Sequence, residues 1–491
     1  MRQDLLRWIV VILIAALALT LYGCAGSPQR INTSTVEFYR LRVRLKTTSQ
    51  GAMLTLDDTG SVLSGRLVES GGNDVRKGIT MRNVWVGEKE SAGTGSGKSV
   101  TVEYALKPEA ANGTLQFHLK QRTPDWSSVS VYGARGSTLT PLRRLEHSGG
   151  DPLDFSVSLE PLGKAQPEAV HLEDETSDKM VWAFYYPWYG SLEDWGQGIL
   201  QDRPEELYVS NERDAIKRHI AEAKEAGIDG FLSSWWGPRS YTDENLKTLL
   251  DVADRNDFQV GINFETLGSK DADGKDQPLE ENELYRWLRY LISTYQDYPA
   301  WTKVNGKPLI VLWASNTVPT ESWKNVIERL RSENLDATYI GHFGEEDPGL
   351  TVLDIFDGLH TYNVLNVISS VDDTEKLRNV YETTGRAVQN YNLLTGSPKR
   401  KIWAPTVMPG YDDHLIPDRT TPVLDRRDGA FYSACWDAAL ASYPDWVFIT
   451  SWNEWWEHTY IEPSEGYGDR YLELTRQCSE SWKDGKGSPG E

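Results

Sequence analysis

From Met180 to the end of the chain one rhythm repeats: a short apolar run, then a stretch with helical periodicity. MVWAFYY precedes ERDAIKRHIAEAKEAG, GFLSSWW precedes DENLKTLLDVADRN, FQVGINFE precedes ENELYRWLRYLISTYQ, and PLIVLWA precedes ESWKNVIERLRSE. ATYIGHF follows, then FDGLHTY with TEKLRNVYETTGRAVQNY, KIWAPTV with DGAFYSACWDAALASY, and WVFITSW with a last helical pattern from about Gly468. Parallel strands cannot be joined by a tight hairpin and need a crossover, which is usually a helix. About eight such alternations in about 300 residues predict a (β/α)8 TIM barrel over residues 180–483. A doubly wound open sheet is the alternative, but no Gly-rich phosphate turn follows its first strand.

The preceding segment has a different period. Leu41, Val43 and Leu45 interleave with Arg42, Arg44 and Lys46, and Leu115, Phe117 and Leu119 continue the alternation. With Gly-rich breaks such as SGGND and GTGSGK, residues 36–162 are expected to form a smaller antiparallel β-sandwich ahead of the barrel. Residues 163–179 are polar, acidic and unpatterned, as a linker is, and 484–491 read as a tail. At the other end, Arg2 and Arg7 precede an apolar run that closes in LYGC, so residues 1–23 read as a lipoprotein-type export signal and 24–35 as a tether. Cys24 is the expected lipidation site, which would place the folded part outside the cytoplasm, held to a membrane by lipid. An uncleaved membrane anchor and ordinary secretion are the alternatives.

A net charge of -21 argues against a nucleic-acid partner, since phosphate binding needs clustered Lys and Arg. Cys435 and Cys478 are expected on the last two helices, either paired or as two free buried thiols. No Cys or His spacing signals zinc, and neither a metal nor a cofactor is expected. The sequence offers no reading of the oligomeric state. The 19 Trp and 23 Tyr are numerous, and many fall between the predicted elements, where flat apolar faces suit sugar rings.

In a barrel of this kind functional residues lie at the C-terminal ends of the strands. Those positions hold Tyr186, Trp188 and Tyr189 after the first strand, Trp235 and Trp236 after the second, and Asn263 and Glu265 after the third. Trp313 follows the fourth, His360 and Tyr362 the sixth, Tyr411 and Asp412 the seventh, and Asn453, Glu454 and Glu457 the eighth. Aromatics and carboxylates thus converge on one rim. Two carboxyl groups, one protonated and one ionised, are the working parts of glycoside hydrolysis. Glu454 and Glu457, set among Trp452, Trp455 and Trp456, fit that requirement, because indoles around a carboxyl desolvate it and favour its neutral form. Glu-x-x-Glu is also a common spacing on exposed helix faces, so the strand-end position carries the assignment.

FYYPWYG at 184–190, MPGYDD at 408–413 and NEWWEHTYIEP at 453–463 together resemble glycoside hydrolase family 99, the endo-α-1,2-mannosidases and endomannanases. The resemblance covers the barrel and leaves out the sandwich. It implies a retaining endo-glycosidase acting on α-mannosidic bonds, with the substrate 2-hydroxyl as nucleophile and a 1,2-anhydro sugar as intermediate. Glu454 would take the proton from that hydroxyl, and Glu457 would protonate the leaving oxygen and then activate water. Tyr186, Trp188, Glu265, Tyr362, Tyr411 and Asp412 would line the sugar subsites. Trp236, Asn263, Trp313, His360, Asn453 and Trp456 are further candidates for substrate contact. Where many members read Glu-Trp-His-Glu-Gly-Thr-Gln this chain reads Glu-Trp-Trp-Glu-His-Thr-Tyr, so the neighbouring subsites are expected to differ. An endo-glycosidase on another α-linked polysaccharide and a non-catalytic glycan-binding surface protein are the competing readings.

Overall fold

The structure, a computed structural model, describes residues 179–485 apart from 271–274, 344–350 and 396–399, together with nine strands between Phe38 and Ser158. The predicted export signal and tether lie outside the described residues, as do all of the linker but Lys179 and all of the tail but Asp484 and Gly485. Among those described, no helix is long and apolar enough to cross a membrane.

The nine strands form two antiparallel sheets. One runs in the order Val62–Ser70, Lys98–Leu106, Phe38–Thr47, Trp126–Arg135 and Thr138–Ser148; the other in the order Asn83–Val86, Ala52–Leu56, Thr114–Lys120 and Asp154–Ser158. Leu41 and Val43 are fully buried, whereas Arg42 between them reaches solvent and pairs with the buried Glu103 at 2.7 Å. Ser64 Oγ donates to the Ala387 carbonyl at 2.9 Å, which ties the five-stranded sheet to a barrel helix.

Beyond Lys179 the fold is α/β with a TIM-type barrel. Its parallel strands are Met180–Tyr185, Gly230–Trp235, Gln259–Glu265, Lys307–Trp313, Thr338–His342, Gly358–His360, a seventh in two pieces, and Trp446–Ile449. The seventh strand breaks at Pro405, which has no N–H to give the ladder. Ile402–Ala404 pairs with the sixth strand and Thr406–Val407 with the eighth, so the ring closes through a split strand. All eight apolar runs of the sequence are barrel strands. Helices follow seven of them, but between the fifth and sixth the described residues hold only the 3-10 turn Thr351–Asp354. The sequence likewise shows no helical periodicity directly after its fifth apolar run.

Alternation within each strand separates two cores. Trp182, Phe184, Leu232, Leu309, Val311, Ile340, Trp446 and Phe448 fill the barrel interior, while Val181, Ala183, Tyr185, Phe231 and Ile310 pack outward among the helices. Both faces are covered, so the strands read as continuous apolar runs rather than as alternating ones. At Gly358 the sixth and seventh strands come so close that a Cβ would lie 2.4 Å from the Ile402 carbonyl oxygen. Gly358→Ala is therefore expected to destabilise the barrel by about 2–4 kcal/mol in urea unfolding, because backbone, unlike a side chain, cannot swing away. Cys435 and Cys478 sit on Ala430–Ala441 and Arg470–Lys483, buried and not joined in a disulfide, and burial pushes both thiols up to about 12.

Candidate active site

The eighth strand ends at Ile449, and the segment that follows is a looped turn rather than a helix or strand. Side-chain and backbone bonds give it its shape. Ser451 N donates to the Thr459 carbonyl at 2.8 Å and Ile461 N to the Ser451 carbonyl at 3.0 Å, which closes the loop at its neck. Ser451 Oγ accepts from Glu454 N at 2.7 Å, and Trp452 N donates to the Phe184 carbonyl at 2.8 Å, so the loop continues the pairing with the first strand. His458 reverses the chain at φ 56°.

Glu454 is 3 % exposed and its Oε1 accepts from Trp456 N at 3.2 Å. Burial, and after it the charge of Glu457, raise its carboxyl well above the ordinary carboxylate range. Glu457 is half-buried, with Oε2 fully enclosed and bonded to nothing among the described residues. Burial pushes Glu457 up to about 7 despite the opposing pull of Arg419. Two carboxyls within each other's field cannot both ionise cheaply, so the pair titrates as a unit and holds a proton near neutrality.

A third carboxyl completes the group. Glu265 ends the third strand, is 3 % exposed, and receives Ser234 Oγ at 2.7 Å and Asn263 Nδ2 at 2.8 Å on Oε1. Burial pushes it up to about 8, and the charge of Glu457 adds to the rise. Trp236 is tied to the same cluster, since its Nε1 donates to Ser234 Oγ at 3.0 Å. Tyr186 and Tyr362 meet hydroxyl to hydroxyl at 2.5 Å, and burial with the charges of Glu457 and Glu454 holds the Tyr362 phenol above its usual range. Trp313 packs edge-on against Tyr362, with ring centres 6.1 Å apart. Trp456 lies flat on Trp188 at 5.0 Å and 13°, and Trp188 in turn covers Tyr186 at 4.5 Å. Tyr411 OH donates to Asp413 Oδ2 at 2.8 Å, and Asp412 N donates to the Glu457 carbonyl at 3.0 Å, which brings the seventh-strand loop to the second acid. The Asp412 carboxylate itself is engaged by His414.

Two predicted substrate contacts are placed differently. His360 has no exposed surface: it stacks on His342 and packs on Phe184 and Phe448 inside the barrel, with Nε2 3.2 Å from the Leu312 carbonyl, and burial lowers its imidazole to about 4. Asn453 is equally enclosed and spends its amide on backbone, accepting from Tyr186 N at 2.7 Å and donating to the Tyr186 carbonyl at 3.1 Å. Neither presents a surface to a substrate. The sequence reading missed Ser234, Ser451, Asp413, Tyr208 and Glu462. Asp413 and Glu462 lay inside the MPGYDD and NEWWEHTYIEP motifs without being singled out, and Ser234 carried a signal of its own, a hydroxyl inside an apolar strand run one residue before its end.

A separate recess lined by Glu205, Glu206, Arg218, Glu222 and Glu462 lies behind the loop, away from Glu454 and Glu457. Its free space of about 30 Å³ suits one or two waters, not a sugar.

The description "Glycosyl hydrolase family 99" belongs to the family model that matches residues 201–473. The glycoprotein endo-alpha-1,2-mannosidase of Mus musculus is 27% identical over 440 residues, covering 73% of this chain and 90% of its own. That of Rattus norvegicus is 27% identical over 368 residues, covering 62% and 74%. Among solved structures, the GH99 endo-alpha-mannosidase from Bacteroides thetaiotaomicron superposes with a TM-score of 0.51 at 23% identity, over 62% of this chain and 98% of that one, a likeness of fold.

Proposed function

The chain belongs to glycosyl hydrolase family 99 and is a glycoside hydrolase, and on that premise we propose that it is a retaining, endo-acting enzyme that cuts α-1,2-mannosidic bonds within a glycan or polysaccharide. The observation that carries the reading is the pair of enclosed, mutually repelling carboxyls at the end of the eighth strand, Glu454 and Glu457, with Glu265 beside them. The names of the mouse and rat relatives support the linkage.

In the proposed first step Glu454 takes the proton of the substrate 2-hydroxyl. Its oxygen bonds to C1 as the C1–O bond to the leaving sugar breaks, and Glu457 delivers its proton to that oxygen. In an α-mannoside O2 is trans to the leaving group, so the substrate supplies a nucleophile already at high effective concentration. Water then adds to C1 of the 1,2-anhydro sugar, giving a proton to Glu457 while Glu454 returns one to O2. Two inversions leave the α-configuration. Burial raises both carboxyls, so the pair keeps one proton near neutrality, and the proposed chemistry requires that proton on Glu457 when the glycan is bound. Tyr186, Trp188, Trp236, Glu265, Trp313, Tyr362, Tyr411 and Asp412 would line the sugar sites.

The test is product analysis. With α-1,2-branched mannan as substrate, release of mannose-containing oligosaccharides whose new reducing end is first seen by NMR as the α-anomer supports the proposal. β-Anomer, or cleavage of α-glucan alone, overturns it. Trp456, flat on Trp188 where many relatives carry histidine, favours a different neighbouring sugar, and the same experiment run on α-glucans and mixed glycans reads that out. A bell-shaped dependence of kcat/KM on pH is also expected, centred at about pH 7 or above rather than near 4.5, because the pair must carry one proton and both its members are raised. An optimum below about pH 5 would contradict the shared-proton account.

For the cell, we propose an extracytoplasmic enzyme anchored by lipid on Cys24, with the two N-terminal sheets forming a sandwich that stands between membrane and barrel. Cys24→Ala should move the protein from the membrane fraction to the soluble one.

A further inference from the structure

The turn that carries both acids belongs to no regular element, so something other than a helix or strand must hold it to the small tolerance that positioned acid–base chemistry needs. A chain of buried bonds does. Asn453 Nδ2 donates to Tyr208 OH at 3.0 Å, Tyr208 OH donates to Glu462 Oε2 at 3.0 Å, and Trp455 Nε1 donates to the same oxygen at 3.0 Å. On the other oxygen, His219 Nε2 from the helix Arg213–Glu225 stands 2.8 Å from Glu462 Oε1, close, though poorly angled for a hydrogen bond. His219 is itself steadied by Tyr185 OH at 3.2 Å from Nδ1. Asn453 and Trp455 flank Glu454. Asn453 is clamped to both backbone groups of Tyr186, and Tyr189 OH donates to its carbonyl at 2.8 Å while accepting from Trp455 N at 3.2 Å.

Glu462 and Tyr208 are 3 % and 1 % exposed, and Glu462 lies eight positions past Glu454, on the far side of the turn. A carboxylate enclosed there is costly unless its bonds are used. We propose that Glu462, acting through Tyr208 and Trp455, is a positioning residue that locks the 453–457 turn to the first barrel strand and so sets where Glu454 and Glu457 stand. This rests on the reading of that pair as the catalytic acids.

Three variants test it, read by kcat, KM, thermal melting and amide hydrogen exchange across 453–461. Tyr208→Phe removes one hydroxyl and leaves the ring, so the fold is not at risk. Its kcat should fall about 5- to 20-fold with KM within about twofold, and exchange across the turn should speed up at unchanged melting temperature. Glu462→Leu should lower kcat about 100-fold. Glu462→Gln should stay within about threefold, since one amide oxygen can accept from both Tyr208 and Trp455 while its NH2 turns to His219. A Tyr208→Phe enzyme with wild-type kcat and exchange overturns the proposal, as does a rise in KM at constant kcat, or a Glu462→Gln loss as large as that of Glu462→Leu. If Glu462→Leu does not fold, Tyr208→Phe decides alone. If the wild type cleaves no glycan offered, the functional reading fails separately, and unchanged exchange in Tyr208→Phe still sinks the positioning role.

Discussion

Glu454→Gln and Glu457→Gln are each expected to lower kcat on mannan by roughly 10²–10⁴-fold while the protein stays folded. Each substitution keeps shape and removes only the ability to exchange a proton. The amide oxygen at 454 can still accept from Trp456 N, so the turn has no reason to move. The two variants should part company on an activated substrate. With an aryl leaving group of low pKa the departing oxygen needs little protonation, so Glu457→Gln should recover much of its rate, whereas Glu454→Gln should not, because the 2-hydroxyl still has to lose its proton. Equal recovery in both would reverse or abolish the assignment. The double variant should be scarcely worse than the poorer single one, since the two groups act on one transition state and their losses do not add.

Glu265→Gln is expected to make the protein more stable and less active. The folded carboxyl, pushed up to about 8 by burial, binds its proton more tightly than an exposed glutamate does. The folded state therefore holds more protons than the unfolded one between the two pKa values, and stability declines as pH rises through that window. The penalty is absent below the ordinary glutamate value and complete above about 8. A glutamine, which never ionises, escapes it, and its oxygen still accepts from Ser234 and Asn263. Urea unfolding should show the variant ahead by on the order of 5 kcal/mol at pH 9 and nearly level with the wild type at pH 4.5. A wild type that gains stability with rising pH relative to the variant would refute the argument. Activity should drop about 10- to 100-fold if a sugar hydroxyl pairs with the Glu265 carboxyl in a way the amide does not reproduce, the usual cost of leaving a buried polar group unpaired. A stability gain with no loss of rate would leave Glu265 outside the substrate's reach.

A buried carboxyl that weakens the fold stands out in a sequence. Buried carboxyls have no structural reason to collect at strand ends, so Glu265, Glu454 and Glu457 stand out against the apolar runs that precede them. The barrel itself was legible because its signals are local. Eight runs such as MVWAFYY and PLIVLWA, covered on both faces, have to be apolar throughout, and the helices between them show their period within fifteen residues. The interruption of the seventh strand had a local cause as well, Pro405. That the described residues hold no α-helix after the fifth strand matches the lack of helical periodicity there.

Burial direction was not legible. His360 and Tyr362 are two apart at the end of one strand, and the sequence treats them alike, yet His360 packs into the barrel while the Tyr362 hydroxyl meets that of Tyr186. Which strand end is level with which depends on the stagger of the closed sheet, a property of the whole ring. By itself the sequence determined the barrel, the C-terminal ends of its strands and the proposed acid pair there, since periodicity and strand-end position are written within a few residues. The tertiary structure decided what holds that pair in place. Asn453 meets Tyr186 across 267 residues and Glu462 meets Tyr208 across 254, separations at which no local pattern links partners and only closure of the barrel brings them together.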